Sequence, residues 1–226
     1  MDDPFAVTDC ALIAIATGEK AHNLRELLDR LLRIDIPDLM YFHFWGGLLH
    51  SHFMDPEYPN DFGAWAYHSL RDRRLAERLS IINPTDFDSL NEVRKQVIEV
   101  VEDRMEEADF DIRKEAEHPF FFMRSQIVVF DTRIRIDHPR GLVEIVPTMT
   151  PGSIFYHLID ARRRTESGQN DFSEWLKPLG PPYDALAEHI AAVDPYFISL
   201  KELRAELAST VKNAFMMRRF HERHIK

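Results

Sequence analysis

Two histidines and a glycine in the segment DLMYFHFWGGLLHSH (38–52) have the types and spacing of a binding site. If the segment is helical, His43, Gly47 and His50 follow at i, i+4 and i+7 and lie on one face. Two imidazoles then flank a position without a side chain, where a ligand can approach the backbone closely. We therefore take this face as a candidate ligand-binding site.

A later segment carries the same pattern of residue types. His157, Ala161 and Arg164 repeat the order polar, small, polar at the same spacing. Arginine presents a fixed fork of donors and histidine can donate or accept, so these groups suit an anionic or hydroxyl-rich ligand. The alternative interpretation is structural: each histidine is partly buried and is hydrogen-bonded to a backbone carbonyl or to the aspartate carboxylate of the NDF string that follows it in the sequence.

Four side chains near the first of these faces are candidates for metal ligation: His43, His50, His52 and Asp61. Neutral imidazole is a good ligand for transition metals, and a carboxylate can complete the coordination. The sequence contains no HExxH motif and no paired cysteines, and residues two apart on a helix point in different directions. We expect no organic cofactor, and a metal ion only if these side chains converge.

The motif NDFxxW occurs at 60–65 and again at 170–175. An Asn or Asp at the start of a helix caps it, and the Phe and Trp that follow would anchor the helix in a core with both tryptophans largely buried. In a functional interpretation, Asp61 and Asp171 orient His43 and His157, because a carboxylate fixes the tautomer of an imidazole.

Composition restricts the partners of this chain of 226 residues. Its formal net charge of −10 makes nucleic acid and anionic membrane surfaces poor partners. The single cysteine, Cys10, excludes an internal disulfide and indicates a reducing compartment. The acidic start MDDPF is not a signal peptide, so we expect a cytoplasmic protein. A protein partner, a small polar or anionic ligand, or a second copy of the chain remains open.

The chain contains the same series of motifs twice, which indicates a tandem duplication. The recurring pairs, in order, are Pro4-Phe5 and Pro119-Phe120, MYFHF and IFYHL, NDFGAW and NDFSEW, and SLNEVR and SLKELR. We predict a first repeat at 1–110, a linker at 111–118 and a second repeat at 119–226. Each repeat is small for an independent domain, so we expect the two to share a core.

Hydrophobic periodicity is mostly helical, clearest at 89–107 and 199–215. Ser89 with Glu92, and Ser199 with Glu202, predict capping boxes at the starts of these helices. The segment 120–136 alternates like a strand, whereas its alanine-rich counterpart at 5–20 is ambiguous. We predict a mainly α fold, or α+β with one short strand per repeat, in which two tandem homologous repeats pack with pseudo-twofold symmetry.

The string YFHFWGGLLHSHFMDPEYPNDFGAW, with GSIFYHLIDARRR and NDFSEWL in the second half, resembles an uncharacterised bacterial domain family. Members of that family typically read YYHTH, PEPPNDFAYW and SLeeLR. Phe44 and Trp45 stand here where the family has Thr and His, which removes one candidate imidazole. The resemblance implies organisation rather than an activity, and it implies an association with carbohydrate-active enzymes.

The function that these patterns favour is a non-catalytic binding or regulatory module, because no complete catalytic constellation is present. There is no GxSxG or phosphate-loop motif, and Cys10 lies in a small, apolar stretch where burial is expected. The alternative is a small metal- or histidine-dependent enzyme, hydrolase-like, that uses His43, His50 and Asp61.

Overall fold

The computed structural model describes residues 3–34, 37–49, 57–108, 111 and 113–224, without the side chains of 37 and 217–224. The chain forms two compact units. The N-terminal unit comprises residues 12–127, and the C-terminal unit comprises residues 1–11 together with 128–226. No helix in the described part of the chain combines the length and the apolar composition needed to cross a lipid bilayer.

The strands are longer than the sequence predicts. Strand β1 (Phe5–Asn23) and strand β2 (Glu115–Ile136) contain 19 and 22 residues and form a two-stranded antiparallel sheet. The prediction of one short strand per repeat is therefore wrong, although the rest of the protein is mainly helical. Alanine is a poor strand former, but strand preference depends strongly on pairing and burial. In β1, pairing with β2 and burial outweigh the low strand propensity of alanine, since Phe5, Val7, Cys10 and Leu12 are buried.

The N-terminal unit consists of helices packed with parts of both strands. Its helices are α1 (Leu24–Arg33), α2 (Pro37–Trp45), α3 (Asp61–His68), α4 (Arg73–Ser80) and α5 (Leu90–Glu106). Short 3₁₀ turns occupy Gly46–Leu49 and Pro84–Asp86. Helix α5 buries Val93, Val97 and Val101, the stripe that its periodicity predicts.

The C-terminal unit has a similar order of elements. Its helices are α6 (Leu142–Ile145), α7 (Pro151–Ile154), α8 (Ala161–Arg164), α9 (Asp171–Leu176), α10 (Pro181–Ala191) and α11 (Leu200–His224). A π-helical segment, Phe155–Asp160, connects α7 to α8, so one continuous helical stretch runs from 151 to 164. The 3₁₀ turns lie at Pro139–Gly141, Val146–Thr148 and Lys177–Leu179.

The predicted caps of the two long helices are present. Ser89 Oγ accepts from the amide of Glu92 at 3.3 Å, and the Glu92 carboxylate accepts from the amide of Asp88 at 3.1 Å. At α11, Ser199 Oγ accepts from the amide of Glu202 at 3.2 Å, and the Glu202 carboxylate accepts from the Ser199 amide at 2.9 Å. Each cap satisfies amides that have no partner inside the helix.

A stacked pair of phenylalanines anchors the strand to the helices in each unit. Phe120 of β2 stacks on Phe62 of α3 with ring centroids 5.0 Å apart, and Phe5 of β1 stacks on Phe172 of α9 at 4.8 Å. Phe120 is 4% exposed, whereas its neighbour Phe121 is 59% exposed on the opposite face of the strand. The alternation of the strand therefore decides which of these rings supports the fold.

We expect the substitution Phe120→Ala to lower the free energy of unfolding by about 3–5 kcal/mol, because it removes a buried ring and leaves a cavity. The matched control is Phe121→Ala, which should change it by no more than about 0.5 kcal/mol. Chemical denaturation of the two variants measures the difference. Equal losses would contradict the placement of β2.

Candidate functional site

His43 is buried between helix α3 and strand β2. Its side chain is only 1% exposed. Nδ1 lies 2.7 Å from Asp61 Oδ2, at the first residue of α3, and Nε2 accepts a hydrogen bond from the backbone N–H of Met123 at 3.1 Å. Both ring nitrogens of His43 are therefore already engaged within the N-terminal unit.

His157 makes the same set of contacts in the C-terminal unit. Its side chain is 3% exposed, and Nδ1 lies 2.7 Å from Asp171 Oδ2. Its Nε2 accepts from the backbone N–H of Thr8 at 2.9 Å. Phe5 and Phe172 cover the ring, with centroids 4.8 and 5.5 Å from that of the imidazole. The imidazole thus links helix α9 to strand β1.

These contacts assign the tautomer of both histidines. A backbone amide can only donate, so the Nε2 that it meets must present a lone pair. The ring proton then sits on Nδ1 and is donated to the aspartate, as the functional interpretation of NDFxxW expects. The carboxylate partner is also the one that the structural interpretation names. Both roles are met by one arrangement, in which the imidazole is a bridge between chain segments.

In each NDF motif, the Asn and the Asp side chains have different roles. Asn60 and Asn170 are the helix caps, since their Oδ1 atoms accept from the amides of Gly63 and Ser173, each at 2.9 Å. The aspartate that follows is not needed as the cap. Its carboxylate is therefore free to accept a hydrogen bond from the histidine Nδ1–H, which gives the Asn and the Asp of the motif separate roles.

The structure describes all three residues of the face predicted at His157, Ala161 and Arg164. Ala161 is fully buried. Arg164 Nη2 donates to Asp171 Oδ2 at 2.9 Å, the same oxygen that His157 approaches, and Nε donates to Asp160 Oδ2 at 2.8 Å. The guanidinium is therefore joined to the imidazole through a shared carboxylate. His157, Asp171 and Arg164 therefore form a hydrogen-bonded network that does not include the side chain of Ala161, and 33% of the Arg164 side chain stays accessible to solvent.

The ring of Tyr156 adds to the interactions of Arg164, whose guanidinium carbon lies 3.9 Å from the centroid of that ring. Burial acts to lower the pKa of Arg164, but its hydrogen bonds and charge interactions with Asp171 and Asp160 outweigh this, and the pKa is raised. The arginine stays charged and is held by groups of its own unit.

The corresponding face of the N-terminal unit is described only in part. Gly47 lies in the 3₁₀ turn that follows the end of α2, so the α-helical spacing assumed between His43 and Gly47 does not apply. His50 and His52 lie outside the described residues. Within the described ranges, no three or more His, Cys, Asp or Glu side chains gather in a way that could hold a metal ion.

Cys10 has the environment of a packed thiol. It is buried, and its Sγ donates to the carbonyl of Gly152 at 3.3 Å. Burial, followed by the charges of Asp160 and Asp9, raises the pKa of the thiol to about 12. A nucleophilic cysteine needs a lowered pKa, so this residue is unsuited to that role.

Trp65 and Trp175 differ in exposure although they make the same hydrogen bond. The indole N–H of Trp65 donates to the carbonyl of His118 at 2.9 Å, and that of Trp175 donates to the carbonyl of Asp3 at 3.0 Å. Trp65 is buried as predicted, with 7% exposed. Trp175 is half-buried, so its indole is covered less completely than that of Trp65.

Trp175 lines an open cavity of about 630 Å³ in the C-terminal unit, which the sequence analysis missed. The other lining residues are Asp3, Pro4, Asp137, His138, Pro139, Leu179 and Tyr183. The available signals were the aromatic and proline-rich strings DHP (137–139) and PPY (181–183). A second hollow, of about 410 Å³, lies between α10 and α11 and is mainly apolar.

Comparison with protein families identifies the group to which this chain is related. A model described as a family of unknown function, DUF5752, matches residues 2–212. The chain belongs to this family. A comparison with curated proteins gave no match. Among solved structures, that of OrfY from Thermoproteus tenax is similar, with a TM-score of 0.79 and 26% identity over 95% of this chain and 97% of that one.

The bridging role of the histidines predicts a loss of stability when the ring is removed. We expect His43→Leu to lower the free energy of unfolding by about 1–3 kcal/mol, because the amide of Met123 loses its acceptor and Asp61 loses its donor. The matched control is His118→Leu, since the side chain of His118 is exposed. Chemical denaturation that found the two variants equally stable would contradict the bridge.

Proposed function

We propose that this member of DUF5752 is a non-catalytic binding or regulatory module that acts in the cytoplasm. The observation that carries the proposal is the state of the two buried imidazoles. A general base must have a free lone pair within reach of its substrate, and a metal ligand needs one too. In His43 and His157 the Nε2 lone pair already accepts a backbone amide and Nδ1 faces a carboxylate.

Other groups that could do chemistry are also engaged in the structure. The buried carboxylate of Asp160 accepts from Arg163 Nε at 2.6 Å and from Arg164 Nε at 2.8 Å. Cys10 is packed against Gly152. The two hollows of the C-terminal unit are lined by other residues. Two open surface hollows, together with the engaged state of His43, His157, Asp160 and Cys10, support binding rather than turnover.

A tandem duplication is part of the same proposal, and equivalent contacts in the two halves support it. Arg94, at the end of SLNEVR, donates to the carbonyl of Ile34 at 2.6 Å. Arg204, at the end of SLKELR, donates to the carbonyl of Met149 at 2.7 Å. Together with the paired His–Asp bridges, these contacts recur in the order that the motifs predict.

A reciprocal exchange of small residues gives further support. Ser80 on α4 donates its hydroxyl to the carbonyl of Ala76 at 2.7 Å, and a Cβ on the facing Gly63 would come within 2.3 Å of that hydroxyl. In the second half the hydroxyl comes from the other helix: Ser173 on α9 donates to the carbonyl of Ala187 at 2.9 Å. The position that corresponds to Ser80 is an alanine. Each of the two helix pairs, α3 with α4 and α9 with α10, therefore has one serine hydroxyl between its helices.

The partner class that the resemblance implies, a carbohydrate-active enzyme, belongs to this proposal. The second candidate function is a metal- or histidine-dependent hydrolase centred on His43, His50 and Asp61. One observation favours it: the Asp61 side chain is 46% exposed, so its carboxylate is accessible to solvent beside the buried ring of His43.

An activity assay separates the two functions. The full chain would be incubated with p-nitrophenyl acetate, phosphate and glucoside, each with Zn²⁺, Mn²⁺ or Mg²⁺. We expect no release of p-nitrophenol above that of the same mixture without protein. Because Asp61 would be a metal ligand or a base in the alternative, Asp61→Asn is the test variant. Asp86→Asn is the matched control, since Asp86 is exposed on a 3₁₀ turn.

Turnover by the wild type that falls in Asp61→Asn by about tenfold or more, but not in Asp86→Asn, would overturn the non-catalytic proposal in favour of the enzyme. Turnover unchanged by either variant would overturn it as well, and would move the reaction away from the His43 region.

A further inference from the structure

The cavity at Trp175 combines aromatic walls with acidic side chains. Trp175 and Tyr183 supply two rings, and Pro4, Pro139 and Leu179 supply apolar surface. Its volume of about 630 Å³ falls within the range of ligand sites, which are mostly apolar and carry a few polar groups. The cavity therefore has room for a small organic molecule and the mixed lining that would orient one.

Both rings are held in place by polar bonds at their edges. The indole N–H of Trp175 donates to the carbonyl of Asp3 at 3.0 Å, and Phe5 packs against the indole with centroids 5.4 Å apart. The hydroxyl of Tyr183 lies 3.2 Å from Nε2 of His138. His138 is itself fixed, because its Nδ1 accepts from the amide of Arg140 at 3.2 Å. A pre-positioned lining lowers the entropy that binding costs.

The charge of the cavity is negative. Asp3 and Asp137 are exposed carboxylates, and the lining contains no lysine or arginine. Within the described part of the chain, neither carboxylate takes part in an ion pair. Aromatic faces attract cations through their quadrupole, and carboxylates attract them through charge. Both properties of the lining therefore select for the same kind of ligand.

We propose that this cavity binds an organic ammonium ion, with Trp175 and Tyr183 against its alkyl groups and Asp3 and Asp137 near its charge. The proposal deepens the binding role proposed above and rests on it. The counterpart in the N-terminal unit, Trp65, offers no such ring surface, because its indole donates the same kind of hydrogen bond to a carbonyl and yet is buried. The half-buried indole of Trp175 is what leaves ring surface for a ligand.

The test is a titration of the full chain with choline chloride at constant ionic strength. The indole N–H resonance of Trp175 reports binding in ¹⁵N NMR spectra, and Trp175→Phe assigns it. The key comparison ligand is 3,3-dimethylbutan-1-ol, which has the shape of choline without the charge. We expect choline to bind at least about fivefold more tightly than this alcohol, since cation–π attraction is lost in the neutral ligand.

Two aspartate variants test the contribution of charge. Asp137→Asn should weaken choline binding several-fold, because it removes a carboxylate from the lining. The matched control, Asp184→Asn, removes the same charge from the exposed first turn of α10, outside the cavity, and should leave binding within about twofold of the wild type. Both positions are exposed, so both variants should fold, which circular dichroism verifies.

Three results would overturn the proposal: no shift with choline, equal affinity for the neutral alcohol, or equal weakening by Asp137→Asn and Asp184→Asn. Tighter binding of glucose than of choline would replace the ammonium ion by a hydroxyl-rich ligand and would also overturn it.

A short peptide with trimethyllysine distinguishes the source of the cation: tighter binding than choline indicates a protein partner, and weaker binding a free amine. None of these results depends on the p-nitrophenyl assays, so failure here is distinct from failure of the non-catalytic proposal.

Discussion

The architecture of each unit depends on one imidazole that joins a helix to a strand. The carboxylate at the first residue of α3 or α9 accepts a hydrogen bond from Nδ1–H, and the Nε2 lone pair accepts one from a backbone amide of β2 or β1. A single neutral ring thereby satisfies a buried backbone donor and orients a carboxylate. Few other side chains can do this, because the position needs one donor and one acceptor on opposite sides of a small, flat group.

This arrangement has a consequence for function. His43 and His157 join chain segments within their units, and Arg164 is linked to His157 through the carboxylate of Asp171. In the proposed binding role, a ligand is therefore recognised by surface groups. The difference between the two tryptophans shows how one motif can serve two purposes: Trp65 fills the interior of its unit, whereas Trp175 forms part of an open wall.

Much of the helical structure could be predicted from local signals, because caps such as Ser89 and stripes such as that of α5 depend on residues close in sequence. The partnership of histidine and NDF aspartate was foreseen from the repeated motifs. The length of β1 was not predicted. Its alanine-rich sequence pairs with β2, which lies about 100 residues away, and pairing at that distance gives no signal in the local sequence. The exposure of Trp175 depends on tertiary neighbours in the same way.

The protonation of the two buried rings decides whether they bridge helix and strand, and nitrogen NMR of ¹⁵N-histidine-labelled protein measures it directly. For His43 and His157 we expect the ring proton on Nδ1, an unprotonated Nε2, and a coupling across the hydrogen bond from the Met123 and Thr8 amides to Nε2. A proton found on Nε2, or rapid exchange between the two tautomers, would contradict the bridge and leave these imidazoles open to chemistry.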